Sequence, residues 1–144
     1  MLAGSSCSKT KDANGNPIVA PNILIITKTQ SFRHTSIEAG VAMFQRHAED
    51  WKLTITRAEE TAGYSGTALR AFDIVVLLNC PGDVFNDEAQ LGLQDYVRSG
   101  GRILGIHACA DAEYDWPWYG QMLGGRFDTH PAVQEATCTV ELTT

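Results

Sequence analysis

The sequence predicts a doubly wound α/β sandwich built on a parallel sheet, and two observations carry that prediction. Short apolar runs with no alternation, NILIIT at residues 22–27, DIVVLL at 73–78 and RILGI at 102–106, read as strands covered on both faces. Segments of helical periodicity between them are long enough to return the chain for parallel pairing. The right-handed crossover rule then places helices on both faces of the sheet.

The elements follow in order. Residues 22–27 form the first strand. Thr35 is positioned to cap a helix, with Glu38 at the reciprocal place, and Ile37, Val41, Phe44 and Ala48 recur at helical spacing, so a helix is expected over 36–48. Residues 52–57 are β-branched and partly alternating, as in a strand nearer the sheet edge. Residues 59–67 are polar and glycine-containing, a loop with a short helical turn. The third strand is 73–78. Asp87 can cap the next helix, with Gln90 three residues on, and Ala89, Leu93, Tyr96 and Val97 share one face. Gly100 and Gly101 stop that helix, one of them in the left-handed cap. The fourth strand is 102–106. Residues 116–123 read as a short helix packed by Trp116, Trp118, Tyr119, Met122 and Leu123, and ended by Gly124 and Gly125. TCTVEL at 137–142 reads as a further strand, either an edge or a passage into a longer domain.

Composition narrows the function. A chain of 144 residues fits one domain. Eleven basic and seventeen acidic residues give a formal charge of -6, and no Lys/Arg cluster appears. That argues against a nucleic-acid surface and for solubility. Cys7, Cys80, Cys109 and Cys138 contain no CxxC pair, which argues against a zinc knuckle or a thioredoxin-like site. Cys80 and Cys109 both follow strands, so free thiols in a reducing, cytoplasmic setting are expected. Residues 1–21 have no apolar stretch of signal-peptide type and read as a flexible polar leader. No run of about twenty apolar residues suggests a transmembrane helix.

Ligands of open parallel sheets bind at the carboxyl ends of the strands. Three such ends here carry polar or reactive residues. Lys28, Thr29, Phe32, Arg33 and His34 follow the first, Asn79, Cys80 and Asp83 the third, and His107 the fourth. His107 can move protons at neutral pH, or it can bridge neighbouring loops. Arg33 and His34 precede a helix whose amide donors favour an anion. Arg33 therefore holds a sugar acid or phosphate, or else pairs with Asp111. Asp83 is a base or hydroxyl acceptor, or part of a Pro81-Gly82-Asp83 turn. Asp111 and Tyr114 are ligand candidates in a polar, aromatic loop that Trp116 and Trp118 pin to the sheet. Such a loop suits a sugar, which presents apolar C–H faces and polar edges. His34, His107 and His130 would together suit a divalent metal, but their spacing leaves convergence open. No cofactor follows from the sequence.

Three stretches, TKTQSFRHTSIEAG (27–40), FDIVVLLNCPGDVFNDEAQ (72–90) and GGRILGIHACADAEYDWPWYGQMLGGRFDTHP (100–131), resemble the ThuA-like (trehalose utilisation) family. That family is related in fold to the class I glutamine amidotransferases. The resemblance implies a flavodoxin-like or amidotransferase-like three-layer sandwich and a role in sugar utilisation linked to oxidised (keto) sugars. It also implies a small-molecule carbohydrate ligand, and association with other domains or a homodimer. Domains of this family run past 144 residues, so residues 22–144 are expected to be a C-terminally shortened domain. In the amidotransferases a glycine leads to a nucleophilic cysteine at a sharp elbow. Here Gly105 and Ile106 lead to His107, and Cys109 does not match, so glutamine hydrolysis is disfavoured. Two accounts of function remain. In one, His107 is an acid/base assisted by Asp83 or Asp111, with Arg33, His34, Asn79 and Tyr114 holding substrate. In the other, the domain is a non-catalytic carbohydrate-binding or scaffolding module.

Overall fold

In a computed structural model, residues 19–132, 134–137 and 139–140 are described. Four parallel strands, β1 (Asn22–Ile26), β2 (Thr54–Ala58), β3 (Ile74–Leu78) and β4 (Arg102–Ile106), lie in the order β2-β1-β3-β4. The order reverses between β1 and β3, which is the switch point of a doubly wound sheet. The helices are α1 (Ser36–His47), α2 (Gly66–Leu69), α3 (Asp87–Arg98) and α4 (Pro117–Leu123).

The two apolar faces of the strands explain the layers. Ile23, Ile25, Val76 and Leu78 point to one side and pack with Val41 and Phe44 of α1. Leu24, Ile26, Val75 and Leu77 point to the other side and join Leu69, Leu93, Tyr96 and Tyr119 from α2, α3 and α4. Alternate side chains thus feed two separate cores, as the side-chain period of a strand requires. The runs of β1 and β3 are therefore strands covered on both faces, in a three-layer sandwich, whereas β4, expected to be covered likewise, keeps exposed positions because no strand lies beyond it among the described residues.

Local chemistry differs from expectation at several boundaries. The side chain of Thr35 makes no capping bond. Its expected partner Glu38 is occupied by Arg57, in a two-pronged contact of 2.8 and 2.8 Å, and by Arg33 at 3.0 Å. Asn86, not Asp87, caps α3, its side chain accepting from the Ala89 amide at 2.9 Å. Gln90 reaches across to the Glu113 carboxylate instead of back to the cap. The second strand begins at Thr54, because Lys52 takes a left-handed φ of 53° in the turn before it. In the expected strand at 137–142, Thr137, Thr139 and Val140 carry no strand structure, and the other residues lie outside those described. The leader read at residues 1–21 falls almost wholly outside them as well. Pro21, its last residue, accepts the Thr54 amide at 2.9 Å, so ordered pairing starts there. Gly100, at φ 93°, ends α3 in the left-handed cap.

β4 is the terminal strand of the sheet among the described residues. Its side chains are only partly covered, and Leu104 remains 46% exposed. No helix among the described residues is long and apolar enough to cross a membrane.

The tightest helix-to-loop contact is at Gly92 of α3. A Cβ there would be driven into the Tyr64 carbonyl oxygen and would stand 2.9 Å from the Gly66 amide nitrogen. Both are backbone atoms and cannot swing aside, so Gly92→Ala should destabilise the fold by about 1–3 kcal/mol, despite the better helix propensity of alanine. The midpoint of urea unfolding measures this, and an unchanged midpoint would show that α3 does not seat on the 64–66 turn.

Candidate functional site

β3 and β4 end level with each other, and both ends turn through left-handed backbone. Asn79 has φ 51° and His107 has φ 53°. Non-glycine residues hold this conformation at a cost of about 1 kcal/mol or more, and it clusters at functional sites. The effect is an elbow. The chain leaves β4, turns at His107 into a short 3-10 turn (His107–Ala110), and leaves the imidazole exposed above the sheet edge. Gly105, just before the elbow, has no room for a side chain, since a Cβ would lie 2.7 Å from the Cys109 sulfur.

The two strand ends are joined through side chains. His107 Nδ1 lies 2.9 Å from Asn79 Oδ1. The same oxygen accepts the Ala108 amide at 3.3 Å, and Asn79 Nδ2 donates to Ser36 Oγ at 3.2 Å. On its other side His107 meets the His34 ring edge-to-face, with centroids 4.7 Å apart, and Phe32 meets His34 likewise at 4.9 Å. The loop after β1, the end of β3 and the elbow after β4 therefore converge, as the three strand ends had suggested.

A pocket of about 960 Å³ opens beside this cluster. Phe32, His34, His107, Asp111, Phe127 and His130 are among the residues lining it. The far wall is the segment after α4, where Gly124 at φ 84° turns the chain back. Arg126 fastens that wall, donating to the Ala112 and Trp116 carbonyls at 2.7 and 2.6 Å and lying over the Tyr114 ring at 5.2 Å. The Phe127 amide donates to the Ala110 carbonyl at 2.9 Å. Tyr114 Oη is 2.8 Å from both Asp111 Oδ1 and the Phe127 carbonyl, so its single proton is shared between two acceptors.

The expected site residues separate into two groups. His107, His34 and Asp111 line the pocket, and Asn79 and Tyr114 brace groups that line it. Arg33 does not pair with Asp111. It is held by Glu38 and Glu59, each at 3.0 Å, in a network that Arg57 completes. Asp83 is exposed on the Pro81–Gly82 turn and is not among the lining residues. Gly82 is required there, with φ 86° and the Gln30 Cβ 2.9 Å from where a Cβ would stand. His130 lines the pocket, but among the described residues no three His, Cys, Asp or Glu side chains gather closely enough to hold a metal ion. Trp116 stacks on Trp118 and Tyr119 at 5.0 and 5.7 Å and packs against the core, so these tryptophans pin the loop.

Sequence reasoning missed Ser36, Arg126, Phe127 and the role of Glu113. Nothing in the sequence shows that Arg126 and Phe127 fold back over the elbow, because the contact depends on where α4 ends in space. Glu113 is 1% exposed. Its carboxylate accepts the Phe85 amide at 2.9 Å and Gln90 Nε2 at 2.8 Å, tying the elbow loop to the start of α3.

A parallel sheet with helices on both faces, and a pocket lined by His34 and His107 from its strand-end loops, defines the class: a flavodoxin-like α/β sandwich. The sequence model of the family described as ThuA, trehalose utilisation, matches residues 22–144, and the chain belongs to that family. Two solved structures share the fold. A ThuA-like protein from Bacteroides uniformis ATCC 8492 superposes with a TM-score of 0.62 at 20% identity, over 76% of this chain and 46% of that one. A ThuA-like protein from Parabacteroides merdae ATCC 43184 gives 0.56 at 22% identity, over 71% of this chain and 37% of that one. The chain thus spans less than half the length of either structure. A search of curated proteins finds no match.

Both described thiols are free and buried. Burial pushes Cys80 up to about 12 and Cys109 up to about 11. At neutral pH only about one Cys109 in several thousand or fewer would be thiolate, the form that reacts. Peptide-resolved mass spectrometry after iodoacetamide treatment near neutral pH should find Cys80 and Cys109 unmodified in the folded protein and alkylated after unfolding. Rapid alkylation of folded Cys109 would show instead an accessible, reactive thiol.

Burial also raises the Glu113 carboxyl above its ordinary value, against the hydrogen bonds that lower it. A carboxyl with a raised folded value binds its proton more readily in the native state. Its contribution is therefore complete below the unfolded value of 4.5 and is lost as pH rises through the folded value. Glu113→Gln keeps an acceptor but cannot ionise, so its stability should gain on the wild type as pH rises across the weakly acidic range. Parallel stability curves for the two proteins in urea titrations at several pH values would contradict this.

Proposed function

We propose that the pocket binds a small carbohydrate of the oxidised (keto) class and that His107 transfers a proton to or from it. One observation carries the proposal. An imidazole stands on a left-handed elbow at the floor of a pocket that also offers aromatic faces, Phe32 and Phe127, and a carboxylate, Asp111. A sugar presents apolar C–H faces and a rim of hydroxyls, and these groups complement both. A keto-sugar adds an acidic C–H next to its carbonyl, a natural target for a general base of this type. Asp111 accepts hydroxyls or assists the proton transfer, His34 and His130 supply further polar edges, and Asn79 and Tyr114 brace this surface. Arg33 and Asp83 lie outside the lining and serve the surrounding loops, although ligand-induced movement of either toward the sugar would extend the same site.

A second reading, a binding module without turnover, is favoured by one feature. The group hydrogen-bonded to His107 is the Asn79 amide, which cannot itself take up a proton.

The two readings separate on incubation with keto-sugars in deuterated buffer. Catalysis is expected to exchange the hydrogen beside the carbonyl, and His107→Ala should slow that exchange by about 10²–10⁴-fold. Binding by calorimetry with no exchange would favour the module. The absence of both binding and exchange would overturn the carbohydrate assignment.

A further inference from the structure

The contacts around Asn79 decide more than where His107 sits. The Ala108 amide can only donate, so the Asn79 atom that faces it, 3.3 Å away, must be the carbonyl oxygen. If the amide were flipped, an NH₂ group would point at an N–H. The oxygen so fixed is the atom that faces His107 Nδ1 at 2.9 Å. An oxygen accepts and does not donate, so Nδ1 must carry the proton. The far side of the amide is fixed as well, with Nδ2 donating to Ser36 Oγ at 3.2 Å on the first residue of α1. Asn79 cannot rotate without breaking all three contacts. Its left-handed backbone, which asparagine tolerates better than most residues, aims the side chain across the gap between the strand ends.

We infer that Asn79, anchored by Ser36, is a positioning residue that locks neutral His107 in the Nδ1–H tautomer, so that the ring meets its ligand with the Nε2 lone pair. His107 therefore begins as a proton acceptor. The ligand must offer it a hydrogen, from a hydroxyl or from a C–H made acidic by a neighbouring carbonyl. In the catalytic case the first step moves that proton and leaves its electron pair on the ligand. Nε2 then holds the proton and the imidazolium is stabilised by the unchanged Nδ1–H bond to Asn79. The inference rests on the proposed function only for the direction of the first proton transfer, and the tautomer itself follows from the three contacts of Asn79.

Long-range ¹H–¹⁵N correlation spectra of histidine-labelled protein report the tautomer directly, with the ring neutral at mildly alkaline pH. His107 is assigned by the signals lost in His107→Gln. The wild type should show essentially pure Nδ1–H, with a pyridine-like Nε2 signal. Asn79→Gly removes the acceptor at a position whose positive φ suits glycine, and should move the ring to a mixture or to Nε2–H. Asn79→Asp keeps an acceptor oxygen and should retain Nδ1–H. The unaltered signals of His47, on the far end of α1, certify that each variant is folded. An Nε2–H or mixed ring in the wild type would overturn the inference, as would a pure Nδ1–H signal persisting in folded Asn79→Gly. No sugar is needed, so a failure to bind carbohydrate leaves this result standing, and a wrong tautomer leaves the binding measurement standing.

Discussion

The site depends on one constraint, the level ending of two adjacent parallel strands. Leu78 of β3 pairs with Ile106 of β4 at the last rung, so the residues that follow, Asn79 and His107, leave the sheet side by side. Asn79 leaves its strand in a bend, and His107 passes directly from β4 into the 3-10 turn. Both take left-handed backbone, and a single amide oxygen then links the imidazole to the Ala108 nitrogen at the start of the next turn. Antiparallel strands would have placed these two ends on opposite edges of the sheet. The contact between the imidazole and the Asn79 amide is thus set by sheet topology.

The loops around this point are held by buried polar groups whose partners are close at hand. Glu113 satisfies the Phe85 amide and Gln90 together, Tyr119 Oη donates to the Cys109 carbonyl at 2.9 Å, and the Cys80 thiol donates to the Ile26 carbonyl at 3.0 Å. No buried side-chain nitrogen or oxygen among the described residues lacks a partner. Removing one member of such a set strands another in a medium that solvates it poorly, at about 1–3 kcal/mol each. The loops that bear the site are therefore stiffened by the same bonds that prevent those penalties. The Arg33–Arg57–Glu38–Glu59 network is a different case. It lies at the surface, where water and salt screen each pair, and it organises the loop after β1 more than it stabilises the whole.

Much of this was legible in the sequence, for reasons that can be named. Unalternating apolar runs are satisfied by burial on both faces, so DIVVLL announced a central parallel strand, while RILGI matched β4 residue for residue in extent but not in burial. The convergence of His34, Asn79 and His107 followed from topology, because parallel strands deliver their ends to one edge. Caps were less legible. Asn86, one residue before the expected Asp87, caps α3, and neither expected reciprocal partner reaches back to its cap, because Arg57 holds Glu38 and Gln90 contacts Glu113. The alternative pairing of Arg33 with Asp111 failed for the same reason, since Glu38 and Glu59 hold the guanidinium. The pocket wall at Arg126 and Phe127 left no local signal at all. Its position depends on the direction in which α4 releases the chain, which periodicity does not encode.

The bare flank of β4 has a consequence beyond this site. Among the described residues β1 and β3 have a strand on each side and β2 carries few large apolar side chains, whereas β4 offers Ile103, Leu104 and Ile106 beside main-chain donors and acceptors that no described strand pairs. Such a border is a template for any extended polypeptide that reaches it. The histidine elbow grows from the end of that same strand. A strand paired there would extend the ladder whose last rung, Leu78 with Ile106, stands directly before His107.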